Sequence, residues 1–281
     1  MSRQWNAQPA GSILVGIDGS APSRAAIRWA VHRGALEGVE IVLIHVDDDS
    51  STTLPRPFTD PPSRSAHPEL LATEFDIARL VDRRASVTVD EVGGDPLDQL
   101  VAASTRGRML VLGTHKTGFV QWRVFGSRFI QLAGLASCPV AFIPNSASKR
   151  RRGIVVGVRS AEADDAAIRF AAQEADRSGQ DLVIICGRKV RPPGANRDSA
   201  APGWEADARA AEVIARQECP SLSVRSRLVD RPPAEALVDA SMRAVLLVIG
   251  RSRRIIDQRG LLGSTVHDVL LNLTGPTIVV P

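Results

Sequence analysis

Two glycines and a serine have the residue types and spacing of a phosphate-binding loop. Gly113 ends a short apolar run, and Gly126 with Ser127 precedes a segment with helical spacing. A glycine lets the backbone approach a ligand closely, and the N–H groups and dipole at a helix N-terminus attract anions. The pattern therefore indicates a phosphate site, although for this copy alone a turn followed by a helix N-cap is the simpler explanation.

The same spacing occurs a second time in the chain. Nine residues separate Lys116 from Gly126, and nine residues separate Arg253 from Gly263. Gly263 is again followed by a serine, as Gly126 is. A pattern that recurs with its spacing intact favours a shared function or a shared origin of the two copies.

Other segments show that the chain is a duplication. The apolar run at 13–17 returns at 154–158, an offset of 141 (154 minus 13), and Gly113 returns at Gly250, an offset of 137 (250 minus 113). A unit of about 140 residues is an ordinary domain size. We therefore expect two domains, at 1–148 and 149–281.

Each half alternates short apolar segments with helical ones. In the first half, strands are predicted at residues 13–17, 41–46, 86–92, 109–113 and 140–143, and helices at 22–36, 70–84, 96–104 and 127–136. Such alternation implies parallel strands joined by right-handed crossovers. We expect an α/β fold with two tandem doubly wound five-stranded parallel sheets, Rossmann-like, each in strand order 3-2-1-4-5.

The predicted topology also places the ligand. In such a sheet, ligands bind at the carboxyl ends of the strands where the winding direction reverses, here between strands 1 and 4. Asp18 and Gly113 end these two strands, and both are expected at that crevice. The stretch 47–68 has no periodicity and is expected to form a loop that acts as a lid.

Taken in order, these segments resemble the universal stress protein family. They read VGIDGS at 15–20, IHV at 44–46, GTHK at 113–116 with GS nine residues later, and CPVAFIP at 138–144. The resemblance implies a cytoplasmic stress-response protein that binds ATP or ADP and acts by regulation. It implies adenine contacts from the residues ending strands 1 and 2. The cofactor-binding set that it implies is Asp18, Val46, Gly113, Lys116, Gly126, Ser127 and Arg128.

The sequence departs from the family pattern at the second glycine of the loop. Lys116 and Arg253 replace it. A side chain at a positive φ costs about 1–2 kcal/mol, whereas a cation there attracts phosphate, so the sequence does not decide between binding and loss of binding. In the second half Arg159 replaces Asp18, and arginine has no hydrogen-bond acceptor. We therefore expect nucleotide binding mainly in the first half.

The resemblance also implies an assembly. In the family, the last strands pair between domains, so the two halves are expected to form a pseudo-dimer through strand 5 of each. Dimerisation of whole chains stays open. Two alternative functions also stay open: an interaction scaffold that binds no nucleotide, and, more weakly, an adenylate-transferring enzyme.

Composition excludes several other classes of protein. Of the 281 residues, 44% are hydrophobic and 23% are charged, which is typical of a globular protein. The aromatic content of 4% argues against a stacking surface for single-stranded nucleic acid. No apolar run approaches the roughly 18 residues of a membrane span. The N-terminus lacks a signal-peptide pattern, so a cytoplasmic protein is expected.

Charged and reactive residues indicate no catalytic or metal site. The net charge of +4 includes the run 149–152, which is expected to be a solvated linker and not a nucleic-acid patch. Cys138, Cys186 and Cys219 form no zinc or disulfide pattern, and Cys138 is expected to be a packing residue. No zinc-protease, hydrolase or P-loop motif occurs, so we expect neither an enzyme nor a bound metal.

Overall fold

The computed structural model describes residues 11–47, 66–114, 122–145, 151–187, 203–251 and 262–281. The chain divides into two compact units. The first unit comprises residues 1–117 and 135–145, and the second comprises 118–134 and 146–281. Residues 118–134 group with the second unit, and the domain boundary expected from the repeat, at residue 149, stays a prediction.

The first unit contains five parallel strands in the order β3-β2-β1-β4-β5. Its elements are β1 (Ile13–Ile17), α1 (Ala21–Glu37), β2 (Ile41–Asp47), α2 (Ala66–Val81), β3 (Val87–Gly93), α3 (Pro96–Ser104), β4 (Met109–Thr114) and β5 (Val140–Pro144). The central strands are apolar throughout because helices cover both faces of a parallel sheet. Ile13, Leu14 and Val15, for example, are fully buried.

The second unit repeats this topology, with parallel strands in the order β8-β7-β6-β9-β10. Its elements are α4 (Trp122–Leu135, apart from its last residue), β6 (Ile154–Gly157), α5 (Asp165–Arg177), β7 (Leu182–Gly187), α6 (Trp204–Glu218), β8 (Val224–Val229), α7 (Pro233–Ser241), β9 (Leu246–Gly250), α8 (Ser264–Leu271) and β10 (Thr277–Val280). The predicted α/β fold with two sheets of this strand order is confirmed.

Helix α1 shows how local sequence sets the entry into the first crossover. Ser20 is its N-cap, and the Ser23 N–H donates to the Ser20 hydroxyl at 3.2 Å. Pro22 lies in the first turn, where its missing N–H costs nothing. The helix ends at Gly38, whose φ of 65° is the left-handed conformation of a helix C-terminus.

Two predicted helix starts were wrong by four residues or more. Helix α4 begins at Trp122, not at Ser127, because the apolar spacing of Trp122, Phe125 and Phe129 continues the helical period through Gly126. A glycine inside a helix costs about 1 kcal/mol relative to alanine, which a continuous apolar face can offset. Helix α2 begins at Ala66, and the rest of the predicted lid, 48–65, lies outside the described residues.

The basic run at 149–152 is more than a solvated linker where the structure describes it. Arg151 is half-buried, and its Nη2 donates to the carbonyl oxygen of Thr274 at 2.8 Å. The N–H of Arg152 donates to the carbonyl of Arg243 at 2.8 Å. This part of the run therefore ties the segment before β6 to residues 243 and 274 of the same unit. None of the described helices is long and apolar enough to cross a membrane.

Candidate nucleotide site

The carboxyl ends of β1, β2 and β4 lie side by side at one end of the sheet, and this region is here called the first crevice. The three strands are neighbours in the order β2-β1-β4, with Ile17 opposite His45 and Gly16 opposite Leu112. Asp18 directly follows β1, and Val46 is the next-to-last residue of β2. The structure thus brings the ends predicted to hold a nucleotide to one edge of the sheet.

Asp18 presents an acceptor at this edge. Its side chain is exposed, and its Oδ1 accepts a hydrogen bond from the Ser20 N–H at 2.9 Å. Its own N–H donates to the Ser23 hydroxyl at 3.3 Å. A carboxylate has about four acceptor positions, so Asp18 keeps capacity for a ligand's amino group while the loop holds it in place.

Gly113 serves the packing of the first helix. A Cβ at Gly113 would overlap the carbonyl group of Pro22 and would lie 2.5 Å from the Ser23 nitrogen. Strand β4 therefore approaches the backbone at the start of α1 so closely that only glycine fits. The sequence predicted that Gly113 lets a phosphate approach the backbone. In the described residues, the group that approaches Gly113 closely is the start of α1.

Two polar side chains at the strand ends were given no ligand role by the sequence reasoning. The Nδ1 atom of half-buried His45 lies 3.1 Å from the Ile17 carbonyl oxygen, next to Asp18. Thr114, which follows Gly113, is 1% exposed, and its hydroxyl has no hydrogen-bond partner. Neighbouring side chains on a strand point to opposite faces, so Thr114 lies on the face away from α1. A buried polar atom without a partner is the signal that only coordinates reveal.

The remaining predicted site residues are not placed at this crevice by the described structure. Lys116 lies outside the described residues. Gly126 and Ser127 were predicted to open a helix. They lie instead within the second turn of α4. Arg128 is exposed on the same helix, in the second compact unit. Their place in a nucleotide site stays a prediction.

The corresponding crevice of the second unit, at the ends of β6, β7 and β9, is called the second crevice. Arg159 follows β6 and is exposed. Its N–H donates to Oδ2 of Asp164 at 2.7 Å, and Asp164 is 7% exposed. A Cβ at Gly187, the residue that the repeat aligns with Val46, would lie 2.7 Å from the Cα of Pro233. The start of α7 thus packs directly against the end of β7.

Arg251 makes a structural contact at the end of β9. It follows β9, and its Nη1 donates to the carbonyl of Gly134 in the last turn of α4 at 2.8 Å, within the second unit. Helix carbonyls in the last turn lack intrahelical partners and favour cations. Arg251 therefore stabilises the C-terminus of α4.

The cysteines do not provide a reactive thiol. Burial raises the pKa of Cys138 to about 12. Burial, with the negative charges of Asp207 and Asp164, raises the pKa of Cys186 to about 11. A thiol must lose its proton to act as a nucleophile or metal ligand, so both are packing residues at neutral pH. Among the described residues, no group of three or more His, Cys, Asp or Glu side chains is arranged to hold a metal ion.

The fold defines a duplicated doubly wound α/β protein in which the two copies share one strand order. A sequence model described as the Universal stress protein family matches residues 10–144 and 150–281. The chain therefore belongs to the universal stress protein family and carries its domain twice.

Individual proteins are similar to this chain to different degrees. A universal stress protein of Mycobacterium tuberculosis strain H37Rv is 29% identical over 284 residues, covering 95% of this chain and 96% of its own. The crystal structure of a universal stress protein from Archaeoglobus fulgidus matches with a TM-score of 0.68 at 18% identity, covering 97% of this chain and 96% of that chain, which shows the fold. A shorter structure from Archaeoglobus fulgidus, described as a complex with dAMP, is 25% identical, covers 47% of this chain and all of that chain, and has a TM-score of 0.39.

Proposed function

We propose that the first crevice binds an adenine nucleotide, ATP or ADP. Asp18 would accept a hydrogen bond from the adenine amino group, and Val46 would line the same end of the sheet. The observation that carries the proposal is the exposed Asp18 carboxylate, held by Ser20 at the point where β2, β1 and β4 end together. Membership of the universal stress protein family supports it.

The same proposal assigns a regulatory role in the cytoplasm and no turnover of the nucleotide. Hydrolysis or adenylate transfer needs a nucleophile with an activating base, or a metal ion. The polar side chains described at the first crevice, Asp18, His45 and Thr114, are given hydrogen-bonding roles and no nucleophilic role in this proposal. Binding would then act through the conformation of the protein, as ligands do when they prefer one of two states.

Isothermal titration calorimetry with ATP and ADP tests the proposal. Asp18→Ala should weaken nucleotide affinity at least tenfold, because hydrogen bonds to charged groups contribute about 1.5–3 kcal/mol and 1.4 kcal/mol is a factor of ten. Asp76→Ala is the matched control, since Asp76 is an exposed acid on α2. It removes the same charge without touching the crevice.

Three outcomes would contradict parts of the proposal. Absence of binding at millimolar ATP and ADP would favour the alternative function, an interaction scaffold without nucleotide. Equal affinities of wild type and Asp18→Ala would show that the nucleotide binds elsewhere. Loss of ATP over hours in a turnover assay would refute the purely regulatory role.

The proposed assembly needs its own measurement. Pairing of the two halves through β5 and β10 stays a prediction from the family resemblance, as does dimerisation of whole chains. Light scattering of the purified chain distinguishes a mass near 30.1 kDa from twice that value.

A further inference from the structure

Strands β3 and β8 occupy the same place in the two units, and helix α6 covers the outer edge of β8. Among the described residues each strand has one strand neighbour, β2 for β3 and β7 for β8. The main-chain N–H of Ser226 donates to Oε1 of Glu212 at 3.0 Å. Nη2 of Arg216 donates to the carbonyl oxygen of Val224 at 3.1 Å. Two side chains of α6 therefore take main-chain groups that another strand would need.

The outer edge of β3 has no such cover. Successive residues of a strand direct their main-chain groups to opposite sides of it. The N–H of Ile41 donates to the carbonyl of Ser86 at 2.9 Å, so Ser86 faces β2, and the main-chain groups of Val87 and Val89 face outward. In the part of the chain that the structure describes, no side chain bonds to these outward groups. An open edge of this kind is a template for pairing with another chain.

The aligned residues of α2 explain why the two edges differ. At an offset of 137 (212 minus 75), Phe75 aligns with Glu212, and Arg79 aligns with Arg216. Phenylalanine has no oxygen that could accept a main-chain hydrogen bond. Nη1 of Arg79 donates to the carbonyl of Ala85 at 3.0 Å, before β3 begins. The first unit thus lacks the side-chain cover that the second unit has.

The two ends of the open edge carry opposite charges. Arg83 and Arg84 precede β3 and are exposed, and the main-chain N–H of Arg84 donates to Oδ1 of Asp82 at 2.8 Å. Asp90 and Glu91 lie toward the carboxyl end of β3, where Glu91 is exposed. Two such edges that meet antiparallel bring the basic end of each beside the acidic end of the other. A parallel meeting would bring like charges together.

We infer that the edge of β3 is a docking surface for a second copy of this chain, paired antiparallel about a two-fold axis at Thr88. In that register Val87 of one copy exchanges main-chain hydrogen bonds with Val89 of the other. Arg83 then lies diagonally across from Glu91 of the second copy, within reach of a long side chain. A two-fold contact is self-complementary and closes at a dimer. The inference concerns assembly and does not depend on the nucleotide binding proposed above.

Sedimentation equilibrium of the full chain over a range of micromolar concentrations tests the inference. The mass of wild type should rise with concentration from 30.1 kDa toward twice that value. Val89→Pro removes an outward N–H without removing a bond to β2, as proline does on edge strands, and should stay at the lower mass. Leu228→Pro is the matched control, because it makes the same change at an outward residue of β8 and should dimerise as wild type does. Circular dichroism shows whether each variant folds.

A charge exchange tests the register and serves if a proline variant fails to fold. Arg83→Glu or Glu91→Arg alone should weaken association about tenfold, because each places like charges together at two symmetry-related contacts. The chain that carries both substitutions should regain the association of wild type.

Four results would overturn the inference. Wild type could stay at 30.1 kDa at every concentration, which would leave the edge to a strand of a different protein. Folded Val89→Pro could dimerise as wild type does, or Leu228→Pro could lose the dimer equally. The doubly substituted chain could associate no better than the single variants.

Discussion

The two crevices share one topology and differ in what fills them. In the first, the N–H of Asp18 meets the neutral hydroxyl of Ser23, and the Asp18 carboxylate faces solvent. In the second, the N–H of Arg159 meets the buried carboxylate of Asp164. The duplicated sheets therefore keep one strand order although two aligned residues differ. Arg159 stands in place of the exposed acceptor Asp18, and the buried carboxylate of Asp164 stands in place of the hydroxyl of Ser23.

The helix pairs that flank the two crevices differ in the same manner. Arg24 on α1 pairs with Glu74 on α2 at 2.9 Å, and the Glu74 side chain is 1% exposed. On the other side, Arg169 on α5 pairs with Glu218 on α6 at 3.1 Å, and both side chains are partly exposed. The first ion pair contains a buried carboxylate, whereas both side chains of the second are partly exposed. Removing the arginine should therefore change the free energy of unfolding by different amounts in the two pairs.

The largest expected effect comes from the ion pair between Arg24 and the buried Glu74. Arg24→Ala should lower the free energy of unfolding by about 3 kcal/mol, because it leaves the buried carboxylate of Glu74 without its cation. The second oxygen of Glu74 already lacks a hydrogen-bond partner. Arg169→Ala should change stability little, since exposed ion pairs contribute little. Urea unfolding followed by circular dichroism measures both, and equal losses would refute the contrast.

The two motif glycines give the next prediction. Gly113→Ala should destabilise the protein by about 2 kcal/mol, because the new Cβ meets the backbone of Pro22 and Ser23, which cannot move alone. Gly250→Ala should cost less, since its nearest neighbour is an oxygen of the Asp164 side chain. Thermal unfolding of the two variants gives the order. A larger loss for Gly250→Ala would show that the second crevice is the tighter one.

The smallest expected effect concerns alkaline pH and Cys138, whose aligned residue in the second half is Gly275. Burial raises the Cys138 pKa from 9.0 to about 12, so the folded protein keeps a proton that the unfolded chain releases. Stability is therefore complete below pH 9 and falls between pH 9 and 12, by at most about 1.4 kcal/mol per pH unit. Cys138→Ala should reduce this fall, as measured by urea unfolding at pH 8 and pH 10. Identical pH dependence in the two proteins would contradict the assignment.

Local pattern predicted much of the fold. The strand at 13–17 and the helix at 96–104 have the bounds expected from their apolar spacing. The helix predicted at 22–36 is found as α1 at Ala21–Glu37. These features depend on periodicity, which neighbouring residues determine. The start of α4 was mispredicted because a glycine–serine pair suggested a boundary that the apolar spacing overrode.

The candidate site was predictable only in part. Asp18 and Val46 stand at the strand ends where the topology requires them, because strand order alone determines which ends are adjacent. The function of Gly113 and the orphan hydroxyl of Thr114 depend on how closely α1 packs and on what surrounds β4. Such contacts join residues distant in sequence, and no local pattern records them.

The sequence by itself determined the duplication, the alternation of strands and helices, and the family. Each of these follows from spacing or from similarity along the chain. Only the tertiary structure decided that Ser23 and Asp164 both accept a hydrogen bond from the loop before them, Ser23 with a neutral hydroxyl and Asp164 with a buried carboxylate. The physical reason is that the direction of a loop side chain depends on which N–H groups lack partners nearby, and in the second unit those of residues 159 and 160 take the buried carboxylate.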